Sequence, residues 1–158
     1  MQPNVGLTAA QRTGVAELLT KTLADEYVLY TKTRNFHWNV SGMHFAALHK
    51  FFEQQYDLLD GKIDEIAEFI RYFGHPSPGS LREFLDATRL TEEPGTGDVS
   101  AEVMVKSLLS DHEQIIRHLR ADIETAQTDF AAADVADFLT GLLEDHEKMA
   151  WMLRATAA

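Results

Sequence analysis

Cysteine is absent from the 158 residues. That excludes a disulfide framework, a cysteine-type zinc site, an iron–sulfur cluster and a thiol nucleophile. Proline is scarce, with residues only at positions 3, 76, 78 and 94. Two long stretches, about 4–75 and 95–158, are therefore free of the residue that breaks helix interiors. Basic residues are also few. Acids outnumber Lys and Arg 25 to 14, for a formal charge of −11. Such a surface repels phosphate, which argues against nucleic acid as a partner. No apolar run is long enough to span a bilayer, and residues 1–14 carry no apolar segment of the signal-peptide kind. A cytoplasmic protein with no membrane association is the expectation.

What is present is helical periodicity. Val15, Leu18, Leu19, Thr22, Leu23, Tyr27 and Tyr30 follow a 3/4 spacing, and Thr8 with Gln11 reads as a capping box at the start. Asn39 to Gly42 interrupts the pattern. Phe45, Leu48, Phe52, Tyr56, Leu59, Ile63, Ile66 and Ile70 carry a second helix, ending near Gly74-His75-Pro76. Ser80 with Glu83 caps a short helix over 81–87. Val103 to Ile123 and Val135 to Leu153 mark two further long helices. Gly and Pro between Gly74 and Gly97 form the central connection. The reading is all-α: one domain over 1–158, a four-helix bundle with a short helix in its middle crossover, after a tail of about residues 1–7.

Familiar catalytic motifs fail. His112-Glu113 and His146-Glu147 begin like HExxH, but Ile116 and Ala150 occupy the second histidine positions. No histidine has an acid three residues before it, so the Glu-x-x-His signature of metal sites inside bundles is missing as well. Nucleotide-binding and nucleophile-elbow motifs are absent. On these grounds His112, His118 and His146 read as ordinary surface or satisfied core histidines. His44 packs or caps near the turn, and His75 belongs to the connection.

The remaining signal lies on the second helix. His49 and Glu53 form an i, i+4 pair, and so do Asp64 and Glu68. Each pair shares one face and can chelate a cation. Fifteen residues separate the pairs, about 22 Å of helix, too far for one metal. At about 100° per residue the two pairs differ by only about 60° in azimuth. A second copy of the helix, packed antiparallel about a two-fold, sets each half-site against the other kind. His37, just before the turn, falls near the level of His49 in an antiparallel hairpin and completes the histidine half. Taken singly, an exposed His/Glu pair is also what plain surface electrostatics looks like, and Asp64/Glu68 is also what a solvated acidic face looks like.

The stretch from Asn35 to Glu68, NFHWNVSGMHFAALHKFFEQQYDLLDGKIDEIAE, closely resembles the Dps family, ferritin-like mini-cages named for DNA protection in starved cells. FGHPSPGSLREFL, LLSDHE and LLEDHEKMAWMLRA extend the resemblance over nearly the whole chain. The resemblance implies a dodecameric shell with a ferroxidase site between two-fold-related subunits. Its ligands are His37, His49 and Glu53 of one subunit with Asp64 and Glu68 of the other. It implies Fe²⁺ as substrate, oxidised by H₂O₂ in preference to O₂, and ferric oxyhydroxide stored inside as protection against oxidative stress. Zn²⁺ fits the same donors, so a cage that sequesters zinc with little turnover is the alternative. A nucleoid-compacting DNA-binding oligomer is a further one. The family usually has Arg after the last glutamate, where this chain has Phe69. Acids near the start of the last helix line a three-fold pore in relatives, which points to Asp137, with Asp134 nearby and Glu147 further along. Trp38, next to a ligand, is a candidate electron donor or an interface packing residue. DNA-binding relatives often carry a basic tail, but Arg12 is the sole basic residue in the first 20, and Arg154 the sole one after Trp151. DNA binding is therefore not expected.

Overall fold

The computed structural model describes residues 3–92 and 99–157. Pro94 and Gly97 of the central connection lie outside the described residues. Five helices follow in order: α1 (Ala9–Asn39), α2 (Phe45–Tyr72), α3 (Leu81–Ala87), α4 (Ala101–Thr128) and α5 (Ala133–Ala157). The described residues contain no strand. The predicted four long helices and the short one at 81–87 are all present.

Local chemistry sets the ends. Thr8 and Gln11 form the expected capping box of α1, and Ser80 and Glu83 that of α3. Ser80 and the backbone amides of Gly79 and Ser80 donate to the Glu83 carboxylate, which holds it below the ordinary glutamate range. Ser100 caps α4 through the Val103 amide. Gly42 takes φ +100° in the tight α1–α2 turn, a conformation that a Cβ disfavours. His44 occupies the N-cap position of α2 but makes no side-chain cap bond.

Helices α1 and α2 form one antiparallel hairpin and α4 and α5 another; α1 also packs on α3 and α4. Residue pairs give the register: Tyr30 meets Tyr56 across the first hairpin, and His112 meets His146 across the second. Leu19, Leu23, Leu29, Phe52, Leu59, Ile66, Leu108, Ile115, Leu119, Leu139 and Leu142 fill the space between, all essentially inaccessible. Burying each such side chain contributes about 1.5–3 kcal/mol. Phe69 stacks on Phe138 with ring centroids 4.8 Å apart, tying α2 to α5.

The connection after α3 is pinned by charge. Buried Asp25 accepts from Thr88 Oγ1 (2.9 Å), Arg89 N (2.6 Å) and Arg89 Nε (2.8 Å). Arg89 also reaches Asp122 at 2.8 Å. No helix among the described residues is long and apolar enough to cross a membrane.

Candidate metal centre

The α1–α2 turn folds the end of one helix against the start of the next, and this brings His37 and His49 together. Their rings stack with centroids 3.7 Å apart. His37 Nδ1 lies 2.7 Å from the His49 carbonyl, and His49 Nδ1 lies 2.8 Å from the His37 carbonyl. A carbonyl can only accept, so each Nδ1 carries the proton and donates. Both Nε2 atoms are then bare lone pairs, the form in which imidazole binds a metal. Tyr56 packs edge-on against His37 at 5.2 Å and Phe45 lies 5.1 Å from His49, so the rings are held from both sides.

Glu53 sits one turn beyond His49 on the same face. Lys50 donates to its carboxylate, and this hydrogen bond holds Glu53 below the ordinary glutamate range. The two imidazoles add to the lowering, which places them within electrostatic reach of the carboxylate. Lys50 stands three residues before Glu53, a spacing that would have announced the pair.

Asp64 and Glu68 are exposed on the same helix, each 15 residues after its counterpart in the first pair. Among the described residues, no three acidic or histidine side chains of one chain converge on a point that could hold a metal ion. One subunit therefore holds an organised histidine half-site and a separate carboxylate pair. A two-fold that sets residue 49 against 68 also sets 53 against 64, because both pairs share the same midpoint on α2.

Trp38 is exposed and lies on the Arg34 guanidinium, 5.1 Å from the ring centroid. The same guanidinium covers the rings of Tyr30 and Tyr56 and donates to the Tyr30 hydroxyl at 2.6 Å. Asp134 and Asp137 are exposed at the start of α5. Glu147 is exposed and ion-paired with Arg120.

The structure corrects one reading. His112 and His146 are fully buried and are bonded to each other, but His112 Nε2 finds no partner among the described residues, and neither does His118 Nε2. These histidines are not all satisfied. Sequence spacing missed this because the partners come from different helices. The available signal was position: His112 falls between Leu108 and Ile115, and Glu26 between Leu23 and Leu29, in slots the pattern reserves for apolar residues.

A four-helix bundle with a short crossover helix, with histidines near the α1–α2 turn and a carboxylate pair further along α2, is the architecture of a ferritin-like protein. The family model described as "Ferritin-like domain" matches residues 16–158. A low-temperature-induced protein of a Nostoc strain is 47% identical over 153 residues, covering 96% of this chain and 84% of the relative. The DNA protection during starvation protein 2 of Bacillus anthracis is 39% identical over 141 residues, covering 89% and 94%. Among solved structures, DpsC of Streptomyces coelicolor superposes with a TM-score of 0.95 at 25% identity, covering 100% of this chain and 91% of the other. The Dps of Bacillus brevis gives 0.87 at 32%, covering 94% and 98%. The chain belongs to the Dps family of ferritin-like proteins.

Proposed function

We propose that the protein is an iron-storing mini-ferritin with ferroxidase activity at sites shared between subunits. His37, His49 and Glu53 of one subunit and Asp64 and Glu68 of a two-fold-related copy hold Fe²⁺. Imidazole and carboxylate bind Fe²⁺ without filling its coordination, which leaves room for an oxidant. Hydrogen peroxide takes one electron from each of two ferrous ions, its O–O bond breaks, and with two protons it leaves as two waters. The ferric product hydrolyses to oxyhydroxide and releases protons. A cysteine-free chain offers this chemistry no thiol to oxidise. The mineral collects inside a closed homo-oligomer, a dodecamer as the resemblance implies. Asp134 and Asp137 supply a negative entrance for the cation, with Glu147 further along the same helix. Zinc fits the same donors, and the solved relative from Vibrio cholerae is described as one of the ferritin-like diiron-carboxylate proteins, which favours iron.

The observation that carries this reading is the reciprocal His37–His49 bonding, which bares two Nε2 atoms beside Glu53 and is incomplete without carboxylates from elsewhere. Coexpression of His49→Ala and Asp64→Ala subunits tests it. Each variant alone lacks one half of every site. A mixed pair regains one intact site and loses the other entirely. Random mixing then restores about a quarter of the wild-type oxidation rate. Coassembled shells with no recovery would show that the halves do not meet across subunits. Anaerobic Fe²⁺ loading followed by stoichiometric peroxide separates oxidation from mere sequestration, which gives no ferric absorbance.

A further inference from the structure

Away from the metal half-site, three helices place ionisable groups in the dry centre of the bundle. Glu26 of α1, His112 of α4 and His146 of α5 are each fully inaccessible. His146 Nε2 lies 2.7 Å from Glu26 Oε1. The Nδ1 atoms of His146 and His112 lie 2.9 Å apart. The ring centroids are 5.0 Å apart, so the two nitrogens point at one another along a common axis. Such a contact works with one proton only. With none, two lone pairs oppose each other; with two, a pair of N–H groups collide.

Glu26 and His112 attach to opposite edges of the His146 ring, so a single metal ion does not reach both. A proton is the particle this arrangement accommodates. We propose that Glu26, His146 and His112 form an acid-sensitive latch: the His146–Glu26 bond ties α1 to α5, one proton shared between the two Nδ1 atoms ties α5 to α4, and a second proton at that Nδ1–Nδ1 contact breaks it and loosens the bundle.

Burial, with the neighbouring His146 adding to it, holds His112 well below the ordinary imidazole range. The unfolded chain therefore takes up a proton there first as pH falls, and stability drops below about pH 6.5. The surrounding charges have other partners. On α1, Asp25 binds Arg89 and Lys32 binds Asp111 of α4. On α5, Asp145 meets Lys62 of α2, and Glu147 meets Arg120. Gln55 is the buried polar residue of α2 and does not titrate. His118 of α4 is also held low, by burial and by Arg89, and so serves as the comparison.

The test is denaturant unfolding of the assembled protein from about pH 8 to pH 5, for wild type, His112→Gln and His118→Gln. One linked proton changes the unfolding constant by up to about tenfold per pH unit. His112→Gln is expected to lose most of that slope, and His118→Gln only the smaller part that His118 itself contributes. Solid-state ¹⁵N spectra of the wild type, needing no variant, are expected to show one Nδ1 protonated and the other bare at neutral pH. An unchanged slope in His112→Gln, or both Nδ1 atoms protonated at neutral pH, overturns the latch.

Discussion

His37 and His49 hold each other by their main chains: each ring donates through Nδ1 to the other residue's carbonyl, at 2.7 and 2.8 Å. Two residues twelve apart thus orient one another through main-chain acceptors, with Tyr56 and Phe45 packed against the rings. The outer nitrogens take no part in these bonds.

Losing one ring therefore costs the proposed site one ligand and also frees the other ring. The double change His49→Ala with Asp64→Ala removes a donor from each half. Fast iron oxidation should fall by more than about 100-fold, since even changes outside a metal's direct ligands cost 10–100-fold. Shell size by light scattering should stay the same. Oxidation at the wild-type rate in stopped flow would show that iron reacts elsewhere.

Lys50 binds the carboxylate that the proposed metal site needs from Glu53. The ion pair keeps the Glu53 carboxylate charged to lower pH than an ordinary glutamate, and the pair is lost only as pH falls through that lowered value. Lys50→Gln frees the carboxylate and removes a nearby positive charge. Fe²⁺ should bind about two- to fivefold more tightly, the range an exposed ion pair commands. Titration calorimetry under anaerobic conditions checks the direction.

Asp25 anchors the crossover. It is inaccessible and accepts three hydrogen bonds from Thr88 and Arg89. Asp25→Ala leaves the Arg89 amide and part of its guanidinium without a partner, at a cost of about 3 kcal/mol. Denaturant unfolding should show it as a lower midpoint with an unchanged slope. A change below about 0.5 kcal/mol would mean that the anchor is replaced by solvent.

Charge makes a prediction about DNA. With −11 per chain and single basic residues near each end, shells should leave duplex DNA unshifted in a gel containing EDTA. Tight complexes under those conditions would reveal a basic surface that the composition conceals.

Much of this was legible before any coordinates. Caps, helix spans, the hairpin that pairs His37 with His49 and the two i, i+4 pairs on α2 all follow from local spacing. These are local properties, because a helix face is set by residues within one turn. Phe69 could be read as a missing Arg but not as a stacking partner, since Phe138 lies on another helix.

The sequence by itself determined the helices, the sign of the surface charge and which side chains share a helix face. Only the tertiary structure decided which way the two ring nitrogens of His37 and His49 point. It also brought Glu26 against His146, 120 residues away, and left His112 Nε2 without a partner among the described residues. The physical reason is range. Periodicity is enforced by backbone bonds between near neighbours, whereas the pairing of buried polar groups is settled by which helix faces meet when the apolar surfaces close.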